Sequence, residues 1–177
     1  MIKIDIKQII KEYFFDNPTN KLRVRQIEKK LNLSFPSVIS YCKKLKNDGI
    51  LKTVEVSNVV FYTADRDNQN YLLEKKFYNI KNLYNSDFID YIKTELSNPV
   101  IVVFGSYAKG EDIESSDIDL YIETPSKKEV NLEKYEKILK RRIQLFVHRD
   151  INEIRNKELK NNIVNGSILN NFLEVFK

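Results

Sequence analysis

The sequence predicts an α+β chain in which three short helices and a β-hairpin precede a mixed α/β sheet flanked by helices. Three observations carry this expectation. From residue 4 to residue 47 apolar residues recur at steps of three and four, the period of a helix with one buried face. Between Ile50 and Ala64 two runs rich in β-branched residues flank Ser57-Asn58, the pattern of a hairpin. After Pro99, short apolar runs alternate with amphipathic stretches, as strands alternate with helices in a layered sheet.

Composition narrows the classes further. The 177 residues suffice for one domain or two small ones, and 42% apolar residues allow a packed core. No apolar run is long enough to cross a membrane, and Met1-Ile2-Lys3-Ile4-Asp5 lacks the apolar stretch of a secretion signal. Cys42 is the only cysteine, which excludes an internal disulfide and fits a reducing compartment, so a cytoplasmic protein without a membrane partner is expected. The net charge of +5 is unevenly spread. Residues 1–65 hold 12 lysines and arginines against 7 acids, whereas residues 66–177 hold 18 of each. The basic excess therefore lies in the first third, where it suits a polyanion-binding module.

Ile4 to Phe15 reads as the first helix, stopped by the turn residues Asp16-Asn17-Pro18-Thr19-Asn20. Leu22 to Leu31 reads as a second, and Ser34 is placed to cap a third that runs to about Asn47, with Gly49 just past its end. Leu31-Asn32-Leu33-Ser34 through Leu45 to Gly49-Ile50-Leu51, followed by the hairpin, resembles a winged helix-turn-helix domain, here residues 1–65. The resemblance implies that the third helix enters the major groove of double-stranded DNA. Its outer positions are Ser37, Ser40, Lys43 and Lys44, with Arg23 and Arg25 beside them; short hydroxyls and cations suit phosphate and base-edge contacts. Domains of this kind also serve as protein–protein modules.

Residues 66–97 read as connecting helices. The stretch 67–84 carries Leu72, Leu73, Phe77, Ile80, Leu83 and Tyr84, either a homodimer seam or a packing face, and Phe88 to Leu96 follows. A third segment, residues 98–177, opens with Val102-Val103-Phe104-Gly105-Ser106. Ten residues then separate Ser106 from Asp117-Ile118-Asp119-Leu120-Tyr121-Ile122. Alternation along a strand puts Asp117 and Asp119 on one face, and two carboxylates so close favour a cation between them. Oxygen-only ligands point to Mg²⁺ or Mn²⁺. Gly105 permits a sharp turn, and free N–H groups of a helix starting at Ser106 would face an anion. Val130 to Leu139 reads as a helix, Ile143 to Val147 as a strand, and Ile151 to Ile154 and Leu159 to Val164 as short helices; Gly166 breaks the pattern before Leu169 to Phe176 closes the chain.

Gly105-Ser106-Tyr107-Ala108-Lys109-Gly110, the spacer and Ser116-Asp117-Ile118-Asp119-Leu120 resemble the DNA polymerase β nucleotidyltransferase superfamily, most closely its minimal nucleotidyltransferase branch. The resemblance implies transfer of NMP, foremost AMP, from a nucleoside triphosphate to a protein or RNA hydroxyl. By the same resemblance, Asp117 and Asp119 ligate two metals, while Gly105, Ser106 and Lys109 hold the phosphates. It also implies a third carboxylate on the strand after the intervening helix, where this chain has Gln144; Glu123 and Asp150 share the strand parity needed to substitute for it. Members of the branch act with a small helical HEPN partner in toxin–antitoxin pairs. The competing expectation is a DNA-binding, antitoxin-like regulator whose altered pocket senses nucleotide or serves as scaffold. His148, the only histidine, reads as a strand-end residue, Cys42 as packing, and Lys140-Arg141-Arg142 as a solvated turn or an aid to phosphate binding.

Overall fold

The computed structural model describes residues 5–176, and the chain divides into two compact units, Met1–Tyr78 and Asn79–Lys177. Ile4, where the apolar pattern begins, lies outside the described residues.

In the first unit, α1 (Ile6–Asp16) is capped by Asp5, whose carboxylate accepts from the Gln8 N–H at 3.1 Å. Helix α2 (Val24–Leu31) starts two residues later than its apolar spacing suggests. Leu22 is taken instead into backbone pairing with Tyr62, at 2.9 and 2.8 Å, which adds a bridge to the hairpin. Helix α3 (Phe35–Asn47) follows Ser34, with Pro36 in its first turn. The Ser34 hydroxyl donates to Ser37 Oγ at 2.7 Å and makes no bond to the helix backbone, so its expected capping role is corrected. At the other end Gly49, at φ 72°, donates to the Lys46 carbonyl and Ile50 donates to that of Leu45, which satisfies two carbonyls the helix leaves open. Strands β1 (Leu51–Val56) and β2 (Val59–Ala64) pair antiparallel from Leu51↔Ala64 to Val56↔Val59. Ser57 and Asn58 both have positive φ, as a two-residue hairpin turn requires. Ile10, Phe14, Phe15, Ile27, Val38, Cys42, Leu45 and Leu51 form the core. Burial pushes the Cys42 thiol up to about 12, so it packs and stays protonated.

Helix α4 (Gln69–Asn85) contains the boundary between the units: Tyr71 belongs to the first core and Leu83 to the second. The second unit continues with α5 (Phe88–Glu95), β3 (Val100–Phe104), α6 (Gly105–Lys109), β4 (Ile118–Glu123), α7 (Glu133–Leu139), β5 (Ile143–His148), a 3₁₀ turn (Ile151–Glu153), α8 (Lys157–Val164) and β6 (Ser167–Asn170). Its sheet has the order β5-β4-β3-β6, with β4/β5 parallel and the other pairs antiparallel. The architecture is α+β with a mixed sheet flanked by helices. Helix α7 begins three residues after Val130 because the Asn131 side chain accepts from the Glu133 N–H at 3.0 Å and caps the chain there.

Two apolar layers enclose this sheet. Ile101, Val103, Ile118, Leu120 and Ile122 face Leu83, Phe88, Ile92 and Tyr135. Val102, Phe104 and Tyr121 face Ile151, Ile154 and Ile163 on the other side. Strand β3 is buried on both faces, which explains its unbroken apolar run. Among the described residues, no helix is long and apolar enough to cross a membrane.

Candidate functional site

Strand β3 ends at Phe104, and the chain turns at Gly105 (φ 72°) into the single-turn helix α6, closed by Gly110 at φ 77°. Gly105 has a second constraint besides its backbone. A Cβ there would stand 2.5 Å from Asp119 Oδ2. The carboxylate thus rests against the backbone at the turn, in space that only a glycine leaves open.

Asp119 is the cross-strand neighbour of Phe104 on β3 and of Gln144 on β5. Residues level with one another in a sheet share a face, so Asp119 and Gln144 leave it together. Phe104, level with Asp119, packs tilted against Phe146, with ring centroids 5.3 Å apart. Burial and, after it, the charge of Asp117 hold the Asp119 carboxyl above its ordinary value. Asp117 lies one residue before β4 and is half-buried. The Ser106 hydroxyl, also half-buried, has no hydrogen-bond partner among the described residues, while its carbonyl accepts from the Glu111 N–H at 3.0 Å. Lys109 is exposed in the last turn of α6.

The carboxylates of Asp117 and Asp119 are an all-oxygen donor set of the kind that suits Mg²⁺ or Mn²⁺. Among the described residues, no three His, Cys, Asp or Glu side chains gather in a metal-holding group. Gln144 stands level with Asp119, where a third acid would complete one. The two candidate substitutes are committed elsewhere. Glu123 lies four residues along β4 from Asp119, about 13 Å at strand rise. Its carboxylate accepts from the Tyr121 hydroxyl at 3.0 Å and the Ile151 N–H at 3.1 Å. Asp150 caps the 3₁₀ turn through the Asn152 N–H at 2.8 Å. His148 stacks on Tyr121 at the same remote end, with Nδ1 3.7 Å from Glu153.

A buried polar group braces the segment between the glycine-serine turn and the acids. Asp112, 1% exposed, accepts from Asn79 Nδ2 at 2.7 Å and lies 3.8 Å from the Arg141 guanidinium. Asn79 also donates to the Tyr107 carbonyl at 2.9 Å. Arg141 is therefore structural, which corrects the reading of Lys140-Arg141-Arg142 as a wholly solvated turn. Nothing in the periodicity marks Asp112 or Asn79; the available signal is an acid inside a spacer that must be held in place. Beside this brace opens a cleft of about 420 Å³ lined by Ser116, Asp117, Lys137, Lys140 and Arg142, among others.

In the first unit, Ser40, Lys43 and Lys44 are exposed on α3, with Ser37 partly covered. Ser37, Ser40 and Lys44 follow one another at helical steps of three and four. Arg23 lies over the Phe61 ring, 5.1 Å from its centroid. Arg25 lies over Phe35 at 3.6 Å and pairs with Glu28 at 3.2 Å, so part of its charge is already engaged.

Comparison with curated proteins and with solved structures gives no match. Residues 86–170, from just before α5 to the end of β6, match the family model of the nucleotidyltransferase domain, a span that contains Gly105, Ser106, Asp117, Asp119 and Gln144.

Proposed function

We propose that the second unit transfers a nucleoside monophosphate, foremost AMP, from a nucleoside triphosphate to a protein or RNA hydroxyl. The observation that carries this reading is the Asp119 carboxylate seated against Gly105, which joins the acid pair to the glycine-serine turn. Phosphate on one side and a cation on the other are what such a junction suits. In the reaction the acceptor oxygen bonds to the α-phosphorus, the bond from that phosphorus to its bridging oxygen breaks, and pyrophosphate leaves; the hydroxyl proton passes to solvent. The Ser106 hydroxyl and the backbone N–H groups of the turn donate to the phosphates, and Lys109 adds positive charge at the exposed side. Asp117 and Asp119 would hold Mg²⁺ or Mn²⁺, which supplies charge neutralisation and polarisation of the reacting oxygens when bound. The raised Asp119 carboxyl supports this role, since a cation relieves the same crowding that disfavours its ionised form.

For the first unit we infer a winged helix that binds double-stranded DNA through α3. The support is the basic excess of residues 1–65 and the exposed Ser40, Lys43 and Lys44.

A second reading rests on Gln144. A neutral amide level with Asp119 weakens the negative field that transfer needs, and favours a regulator that binds nucleotide without turning it over. One experiment separates the two. The protein is incubated with each nucleoside triphosphate labelled at the α-phosphate, Mg²⁺ or Mn²⁺, and cell lysate as acceptor. Label in protein or RNA that disappears with Asp119→Asn supports transfer. Metal-dependent nucleotide binding without label supports the regulator, and neither binding nor label refutes the nucleotide site itself.

A further inference from the structure

The sheet of the second unit has two edge strands, and they are finished differently. At β6, four residues long, the Leu169 carbonyl accepts from the Tyr84 hydroxyl at 2.7 Å and the Asn170 side chain donates to the Pro99 carbonyl at 2.6 Å. Strand β5 has six residues, and its ends show which way its backbone groups point. The Arg142 and His148 carbonyls accept from the N–H groups of Ile118 and Thr124, at 2.8 and 2.9 Å, and so face β4. Alternation then turns the N–H and C=O groups of Ile143, Leu145 and Val147 away from β4, toward the open edge. The Ile143 N–H is met by Glu136 Oε1 at 2.9 Å, whereas the N–H groups of Leu145 and Val147 meet no acceptor among the described residues. The Val147 side chain is 46% exposed and that of Leu145 only partly covered. An edge with open backbone groups and apolar side chains is a template for another extended chain.

Charge decides which chain. From Lys140 to Arg149 the sequence holds Lys140, Arg141, Arg142 and Arg149 and no acid. Arg141 is spent on Asp112, but Arg142 and Arg149 are exposed at the two ends of β5 and their guanidiniums make no ion pair among the described residues. The nearest acids in sequence are engaged: Glu136 holds the Ile143 N–H, Glu153 the Arg149 N–H at 3.1 Å, and Asp150 the Asn152 N–H. Glu114 and Glu133 line the cleft beside Arg142 and offset part of its charge, which leaves Arg149 as the less opposed end. A second copy of β5 would set one basic stretch against another, a repulsive pairing. We propose that β5 binds an extended segment of a partner protein, acidic at both ends and β-prone between them, by adding it to the sheet edge at Leu145 and Val147. The segment would run one strand beyond Gln144 and about 10 Å from the line of β4 that carries Asp119. The proposal does not rest on nucleotide transfer, and a protein that transfers nothing can still bind such a segment.

The test uses the full chain and a fluorescent peptide of alternating valine and threonine closed by glutamates at both ends. Its companions are the same peptide closed by lysines and the glutamate peptide N-methylated at alternate residues. Anisotropy at low salt gives affinity, and amide hydrogen exchange followed by NMR gives the place of binding. The glutamate peptide is expected to bind and to slow exchange at the Leu145 and Val147 amides, with the lysine peptide weaker by about tenfold. Arg142→Glu with Arg149→Glu is expected to invert that preference. Val147→Pro removes an outward N–H, which an edge strand tolerates, and is expected to abolish binding. Should that variant fail to fold, the N-methylated peptide tests the same bonds against the wild type, and its expected result is no binding. Absence of binding by the glutamate peptide overturns the proposal, as does equal affinity for the two charged peptides or protection that spares Leu145 and Val147. Protection of these amides that grows with protein concentration in the absence of peptide, with a doubled mass in sedimentation, would assign the edge to a second copy and overturn it too.

Discussion

Gly105→Ala is the most informative single change. Two costs can be worked from the geometry. A residue with a Cβ held at φ 72° loses roughly 1–2 kcal/mol to left-handed strain. The added carbon would also meet Asp119 Oδ2 at 2.5 Å, so the carboxylate must move from its seat. Together they give about 2 kcal/mol, which in a unit of this size lowers Tm by roughly 8–16 °C. Calorimetry on the full chain measures the loss, with the transition of the second unit identified as the one that Asp119→Ala also shifts. The double variant separates the two costs. Asp119→Ala removes Oδ2 and leaves its own Cβ at an ordinary 3.7 Å from the new carbon, so only the backbone strain persists. The two substitutions should therefore be coupled by about 1 kcal/mol. Additivity within about 0.3 kcal/mol would show that Gly105 is required for its backbone alone and that the carboxylate does not rest against it.

Asp119→Asn should raise Tm at neutral pH, because burial and Asp117 hold the native carboxyl above its unfolded value. The sign follows from linkage: stability is fully present below the unfolded value and is lost as pH rises through the folded one, so the advantage of Asn shrinks in melts taken progressively into the acid range. Asp112→Ala removes the buried carboxylate beside the Arg141 guanidinium and an acceptor from Asn79; urea unfolding should show a loss of about 3 kcal/mol, and a loss under 1 kcal/mol would mean that the brace carries little. If α3 enters DNA, Lys43→Ala with Lys44→Ala should weaken binding to all sequences and reduce the slope of log affinity against log salt by about 2, read by fluorescence anisotropy across salt concentrations. An unchanged slope places the phosphate contacts elsewhere.

The parts of this chain that were legible in advance are those set by local chemistry. The Leu45–Gly49–Ile50 ending of α3 and the Ser57-Asn58 turn use residues whose backbone preferences act where they stand. The glycine-serine turn and the acid pair were visible through their spacing, and register places Gln144 beside Asp119, as strand parity allowed. What escaped depends on partners remote in sequence. Ser34 gives its hydroxyl to Ser37 because a neighbouring hydroxyl competes with the helix backbone. Leu22 leaves the helical pattern for Tyr62, 40 positions away. Parity alone could not reveal that Glu123 and Asp150 are tied to Ile151 and Asn152. Nor could composition distinguish Arg141, paired with a buried acid, from Arg142, which is exposed at the cleft.

Strand β6 has a consequence for the order in which the molecule is made. Ser167–Asn170 supplies the outer neighbour of β3, although more than 60 residues separate the two strands. During synthesis Met1–Tyr78 can complete its own core as soon as it leaves the ribosome. The strand that leads into Gly105 can pair with β4 soon after, but its second neighbour is translated long afterwards. A nascent chain thus acquires its basic unit first and completes the sheet around the Gly105 turn last, so a stalled or truncated product would present α3 beside an unfinished second unit. If the second unit transfers nucleotide as proposed, this ordering keeps unfinished chains from consuming it.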